Sequence, residues 1–185
     1  MKLATDLSLP DGFGYKPSLL SIGEEAALVE RLTELPLREF EFHGYVGKRR
    51  VVSFGWHYDF SGRDLRQVEE IPAFLLPVRD SAVDLAGMPA SDLRHVLVTE
   101  YRPGAAIGWH KDKAVFGDVT GILLLATCTF RFRRRAASGW DRVSFTAEPR
   151  SAYVLRGAVR NDWEHSISGV ESLRYSITFR TLSPG

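Results

Sequence analysis

The chain has 185 residues, the length of one globular domain at roughly 100–200 residues per domain, so a multidomain machine is excluded. Its 44% apolar and 25% charged residues exclude a disordered or fibrous chain and leave enough apolar mass for a buried core. Net charge is only +1, but it is unevenly spread: residues 1–90 carry 10 Lys+Arg against 14 Asp+Glu, and residues 91–185 carry 14 against 9. Only 5 of the 24 basic residues are lysine, so the C-terminal excess is mostly guanidinium, the group suited to bidentate grip on carboxylate or phosphate. One cysteine, Cys128, rules out an intrachain disulfide framework and points to a reducing compartment. Met1-Lys2-Leu3-Ala4-Thr5-Asp6 meets charge before any signal-peptide apolar run, and no stretch approaches the ~20 apolar residues of a membrane span. A cytoplasmic, monomeric protein without a membrane partner is expected.

In chain order, the first predicted element is a helix opening at Ser21-Ile22-Gly23-Glu24, a capping-box pattern, with Leu28, Leu32 and Leu35 at helical spacing up to Pro36. Strand signals follow at Glu39-Phe40-Glu41-Phe42 and from Arg49 to Phe54. A second helical region is expected between Ile71 and Leu85, with Pro72 able to start it and Pro77 placed to break or kink it. Beyond it the chain reads as strands: His95 to Tyr101, Ile122 to Phe132, Arg142 to Thr146, Ala152 to Leu155 and Leu173 to Leu182. Many short strands after one or two helices predict an antiparallel sandwich or barrel and argue against a doubly wound parallel sheet.

Chemistry concentrates at His110-Lys111-Asp112. Residues two apart on an extended chain point the same way, so an imidazole and a carboxylate can converge on one cation from a strand end. The turn-forming Tyr101-Arg102-Pro103-Gly104 lies just before. His57-Tyr58-Asp59 has identical spacing, so the pattern alone is weak, and such a pair by itself is more often a surface hydrogen bond. A 2-His-1-carboxylate iron site needs a further histidine, and His165 is available 53 residues after Asp112, where a strand could return it. Nine residues later begins Arg174-Tyr175-Ser176-Ile177-Thr178-Phe179-Arg180, with Arg174, Ser176, Thr178 and Arg180 on one face. That face can turn to solvent, or it can be internal and grip a small dicarboxylate, one carboxylate per arginine. Its position after His165 favours the second reading; no arginine strand follows the alternative set of His57, Asp59 and His110.

Taken together, Thr99-Glu100-Tyr101, Pro103-Gly104, His110-x-Asp112, Trp163-x-His165 and the closing Arg174-to-Arg180 strand resemble the AlkB-like dioxygenases, which depend on Fe(II) and 2-oxoglutarate. The likeness runs from about Val96 to Leu182. It implies a mainly β fold, a double-stranded β-helix or jelly roll with one or two N-terminal helices packed on it. It implies one domain over 1–185, in which about 1–90 supplies the helices and a substrate lid and about 91–185 the catalytic core. By the same resemblance, His110, Asp112 and His165 are the catalytic metal ligands. Arg174 meets the distal carboxylate of 2-oxoglutarate with help from Tyr101, Arg180 lies near the chelating end, and Thr99 and Ser176 are further co-substrate candidates. The implied reaction uses O2 to hydroxylate an N-linked alkyl carbon on a nucleobase of nucleic acid, DNA ahead of RNA, so that the adduct falls apart to aldehyde and repaired base. Thr99 and Ser176 stand where the family often has asparagine. Ala114 stands where some members carry a base-reading acid.

On the substrate side, an extended Phe54-Gly55-Trp56-His57-Tyr58-Asp59-Phe60 would put Phe54, Trp56, Tyr58 and Phe60 on one face, either a stacking platform for a flipped base or ordinary core packing. Trp56, Tyr58 and the nearby Arg49 are the substrate candidates. Arg131, Arg133, Arg134 and Arg135 could follow a phosphate backbone or form a solvated edge that resists aggregation. Three alternatives stay open: an iron oxygenase of a protein side chain or small metabolite, a zinc hydrolase using the same ligands, and a catalytically silent jelly-roll binding module.

Overall fold

The computed structural model describes residues 8–42, 45–59 and 64–183. Strand β1 (Phe13–Lys16) is followed by helix α1 (Ile22–Thr33), β2 (Arg38–Phe42), β3 (Tyr45–Phe54), β4 (Trp56–Asp59) and β5 (Asp64–Gln67). Helix α2 (Leu76–Ala86) comes next, then β6 (His95–Tyr101), β7 (Ile107–His110), β8 (Phe116–Leu124), β9 (Cys128–Arg135), β10 (Trp140–Ala147) and β11 (Ser151–Leu155). Helix α3 (Gly157–Asn161), β12 (Glu164–Ile167) and β13 (Arg174–Leu182) complete the order. Among the described residues no helix is long and apolar enough to cross a membrane.

The strands form a seven-stranded sheet, β1-β11-β8-β13-β6-β3-β2, a four-stranded sheet, β10-β9-β12-β7, and the small β4-β5 ribbon. All pairings are antiparallel. This is the mainly β jelly roll with helices packed on it that the motifs imply. Val96, Val98, Ile122, Ile177 and Phe179 cover one face of the large sheet and pack with Leu32, Leu75, Val78 and Ala82 of the helical layer. The other face meets the small sheet through Leu123, Phe130, Phe132, Tyr153 and Trp163. Alternation in the strands thus sends β-branched and aromatic residues to two separate cores.

The capping box forms in full: Glu24 N–H donates to Ser21 Oγ at 3.2 Å and Ser21 N–H donates to a Glu24 carboxylate oxygen at 2.7 Å. Pro77 does not break the second helix. A 3-10 turn over Ala73–Leu75 runs directly into α2, and Pro77 falls in its first turn, where its missing N–H is not needed.

The apolar run from Ile122 to Phe132 is two strands rather than one. β8 ends at Leu124 in the large sheet, Leu125 adopts φ 73°, and the chain enters the small sheet as β9. The buried carboxylate of Glu25 holds this crossing, accepting from Leu125 N–H at 2.8 Å and from Arg150 Nη1 at 3.1 Å. Strand-forming residues stand on both sides of the switch and no Gly or Pro separates them, so local turn signals do not mark it.

Candidate active site

His110 is the last residue of β7, Asp112 lies two residues beyond, and His165 of β12 is the direct cross-strand neighbour of His110. One ligand atom from each lies within 4.8 Å of the others, the only such group of three among the described residues. His110 Nε2 is 3.7 Å from Asp112 Oδ1, and the two imidazole rings have centroids 4.3 Å apart. His57, from the second His-x-Asp, is not part of the group.

A bulge sets this geometry. Between the paired positions β7 spends three residues, Ile107 to His110, against two in β12, Ile167 to His165. The extra residue lets Ile107 pack inward and His110 face its partners while Trp109 turns outward, the re-aiming that bulges beside reactive sites provide. His110 Nδ1 lies 2.9 Å from the Gly108 carbonyl, which can only accept. In the neutral ring Nδ1 therefore carries the hydrogen, and the lone pair stays on Nε2 beside Asp112.

The electrostatics suit a cation. Burial would raise the Asp112 carboxyl, but Arg180, whose Nε donates to Oδ2 at 3.1 Å, and the two histidines hold it well below the usual range. Burial pushes the His165 imidazole down to about 3, so it is neutral and ligand-competent at neutral pH. His95 is buried against Phe116 with its Nδ1 3.4 Å from Arg180 Nη1; burial, then Arg180, pushes it down to about 2.

The polar face of β13 is internal. Arg174, Ser176 and Thr178 are buried, with Arg174 opposite Tyr101 and Ser176 opposite Thr99 on β6. Arg174 is 1% exposed, its guanidinium carbon stands 4.5 Å over the Tyr101 ring, and its Nε and Nη1 have no hydrogen-bond partner among the described residues. Cys128 lies beside it, but burial pushes that thiol up, so it stays neutral and leaves the charge uncompensated. An unpaired buried guanidinium is costly by several kcal/mol, and a carboxylate placed there would satisfy it. Arg180 differs from Arg174. Its Nε is engaged by Asp112, so the expected symmetry of one carboxylate per arginine is replaced by a single orphan clamp and a metal-side arginine.

One organising residue was not apparent in the sequence. Arg160, on α3 and 8% exposed, donates to the carbonyls of Asp112 (3.4 Å), Lys113 (2.9 Å), Phe116 (2.5 Å) and Gly117 (2.7 Å). It pins the loop that carries Asp112. The signal needed was the helix itself, and five residues between two strands are too few to show periodicity.

On the substrate side, the extended platform is interrupted at Gly55, φ +77°, where a Cβ would collide with the Arg94 carbonyl oxygen. Phe54 therefore packs in the helix-side core instead of beside Trp56 and Tyr58, and Phe60 lies outside the described residues. Trp56 lies under Arg94, at 5.4 Å, and Tyr58 under Lys113 Nζ, at 5.6 Å, which brings Tyr58 next to the Asp112 loop. Arg49 is opposite Tyr101 in register, its guanidinium 4.5 Å over Phe40.

The donor set of two imidazoles and one carboxylate fits Fe(II), and the orphaned Arg174 fits a carboxylate co-substrate. A family model described as the 2OG-Fe(II) oxygenase superfamily matches residues 12–180. The solved structure titled "The structure of OsALKBH1" superposes with TM-score 0.69 at 18% identity, covering 94% of this chain and 98% of that one. No curated protein sequence matches. With nearly its whole length matched, the chain belongs to the 2OG-Fe(II) oxygenase superfamily, whose members use Fe(II), 2-oxoglutarate and O2, and it carries an AlkB-like jelly-roll fold.

Proposed function

We propose that this oxygenase oxidatively dealkylates N-alkylated nucleobases in nucleic acid, with DNA the first substrate to test. The observation that carries the reading is the orphaned, buried Arg174 on the same inner sheet face as Arg180, which holds Asp112 beside His110 and His165. The fold shared with OsALKBH1 and the position of Tyr58 under Lys113, next to the Asp112 loop, support the choice of substrate.

In this reading His110, Asp112 and His165 hold the iron. Arg174 binds the distal carboxylate of 2-oxoglutarate, and Tyr101 supports the guanidinium from below. Thr99 and Ser176 line the pocket between Arg174 and the metal end. Bound together, the iron, 2-oxoglutarate and O2 supply a two-electron oxidation that converts the N-linked alkyl C–H to C–OH, after which the adduct releases aldehyde and the restored base. Arg180 occupies Oδ2 of Asp112 and leaves Oδ1 turned toward His110 Nε2. Arg160 keeps the Asp112 loop from shifting. Phe130, 5.7 Å from His165 ring to ring, and Phe132 exclude water behind the ligands. The segment before about residue 90 supplies the lid, with Trp56 and Tyr58 stacking on the extruded base and Arg49 meeting a phosphate.

The test is incubation with a panel of alkylated oligonucleotides, Fe(II) and 2-oxoglutarate, read by mass spectrometry. Loss of the alkyl mass together with succinate is expected. Succinate formation stimulated only by a peptide or small molecule, with every oligonucleotide unchanged, would overturn the nucleic-acid reading.

A further inference from the structure

The outward face of the small sheet carries a second chemistry. Register places Arg131, Arg133 and Arg135 of β9 on that face, beside Ser166 and Glu164 of β12 on one side and Trp140, Arg142 and Ser144 of β10 on the other. Trp109, turned outward by the β7 bulge, closes the row. The Arg133 guanidinium is 4.5 Å from the Trp109 ring and 4.3 Å from the Trp140 ring, Arg131 is 5.2 Å from Trp109, and Arg135 is 4.2 Å from Trp140. Among the described residues, four guanidiniums share the face with one carboxylate, Glu164, which accepts from Arg133 Nε at 2.6 Å. Arg131 Nε donates to Ser166 Oγ at 3.0 Å.

We infer that this arginine and tryptophan ladder binds the single strand that flanks the target base. Contact with the indoles holds the guanidiniums in place, and the N–H groups that Glu164 and Ser166 do not take can meet phosphate oxygens, so the ladder is oriented before a ligand arrives. The indoles supply stacking surfaces for bases without sequence preference. A face built only for solubility would need neither two tryptophans nor a fourfold excess of one charge sign. The ladder also runs to the open side of the site. β7 is the edge strand, and the His110 side chain on its inner face is 36% exposed whereas His165, one strand inward, is buried. A strand lying across Trp140, Arg133 and Trp109 reaches the β7 edge where the target nucleotide turns in. This inference rests on the nucleic-acid reading above and assigns the path of the strand outside the pocket.

The test uses the full chain and a fluorescein-labelled 12-mer of single-stranded DNA, with anisotropy titrations across a salt series. Each phosphate contact on a single strand contributes a slope of about 0.7 in log affinity against log salt. Arg131→Gln/Arg135→Gln/Arg142→Gln together should therefore flatten the slope by about 2, with an unchanged melting curve showing that the fold survives. Independently, the 12-mer should quench tryptophan emission, and Trp109→Phe/Trp140→Phe should remove most of that quenching, leaving only what Trp56 contributes. Wild-type binding with the same slope in the triple variant would overturn the ladder and leave the nucleic-acid reading standing. Absence of oligonucleotide binding at low salt would overturn both. Equal binding of polyglutamate, without tryptophan quenching by DNA, would reassign the face to an acidic peptide.

Discussion

Arg180 Nε donates to Oδ2 of Asp112 at 3.1 Å, with both side chains almost out of water, at 11% and 9% exposure. The contact divides the carboxylate: one oxygen is held by the protein and the other is left toward His110. Removing the arginine leaves a buried carboxylate without its main partner, the situation in which outer contacts to a metal ligand matter most. Arg180→Met should weaken Fe(II) or Co(II) binding by about 10–100-fold, read by anaerobic titration. Wild-type metal affinity in this variant would show that Asp112 is oriented by something else.

His110→Ala and Asp112→Ala should each abolish succinate formation, because two protein ligands cannot keep the facial arrangement. His57→Ala, outside the cluster, should leave metal uptake intact. Unchanged turnover in either of the first two variants would eliminate the site.

Arg174 stands apart because it is buried with Nε and Nη1 unpartnered among the described residues. Arg174→Met should raise the 2-oxoglutarate requirement by about a hundredfold, the ~3 kcal/mol of a lost buried charge pair. The same variant should melt at an equal or higher temperature than wild type when no 2-oxoglutarate is present, since an uncompensated cation has been removed. Conversely, adding 2-oxoglutarate at a hundred times the wild-type Kd to protein already loaded with a redox-inert divalent metal should stabilise wild type by about 3 kcal/mol and the variant by only about 0.4 kcal/mol. Calorimetry of the four samples distinguishes a clamp from a structural arginine, which would lose stability on substitution.

Arg160 binds the backbone of the Asp112 loop, so in the proposed site it would act on the metal only through that loop. A lysine offers a single ammonium where the guanidinium reaches four carbonyls, so Arg160→Lys should loosen metal binding by about tenfold while the 2-oxoglutarate affinity of the metal-loaded enzyme changes little. Titration of Co(II) absorption gives the first quantity and calorimetry the second. Equal losses in both would mean that the whole pocket, rather than the Asp112 loop, depends on Arg160.

A pH effect is expected on the opposite face of the large sheet. The two hydrogen bonds from Arg50 to Glu100, at 2.8 and 2.6 Å, outweigh burial and, with Tyr175 donating at 2.8 Å, lower the Glu100 carboxyl below its ordinary 4.5. A lowered folded value means that this stability is complete above pH 4.5 and is lost as pH falls through the folded value. Arg50 is 34% exposed, so after allowance for solvent Arg50→Met should cost about 2 kcal/mol at neutral pH. Its acid-unfolding midpoint should move to higher pH, measured by circular dichroism. An unshifted midpoint would assign the Glu100 stabilisation to Tyr175 and Arg102.

Local pattern was legible wherever the determinant lay within a few residues. The α1 capping box, the limits of β6, the two-faced alternation of β13 and the His-x-Asp spacing were all readable because backbone geometry links neighbours directly. The β8-to-β9 crossing was not, since no Gly or Pro interrupts Ile122 to Phe132 and the crossing is held by Glu25, a hundred residues away. The Gly55 turn was missed for a related reason: strand alternation was extended through a position where the chain must pass the Arg94 backbone.

From the residues alone came the donor types, the spacing of His110 and Asp112, the two arginines of the closing strand and an antiparallel sandwich or barrel, all properties of short stretches, while the jelly roll followed from the family resemblance of the motif set. Three-dimensional packing alone decided that His165 falls opposite His110, that the β7 bulge separates His110 from Trp109, that Arg180 takes Asp112 while Arg174 stays unpaired, and that Arg160 holds the ligand loop. These depend on register between strands far apart in the chain, where one residue of slip reverses every side chain and no local preference reveals the choice.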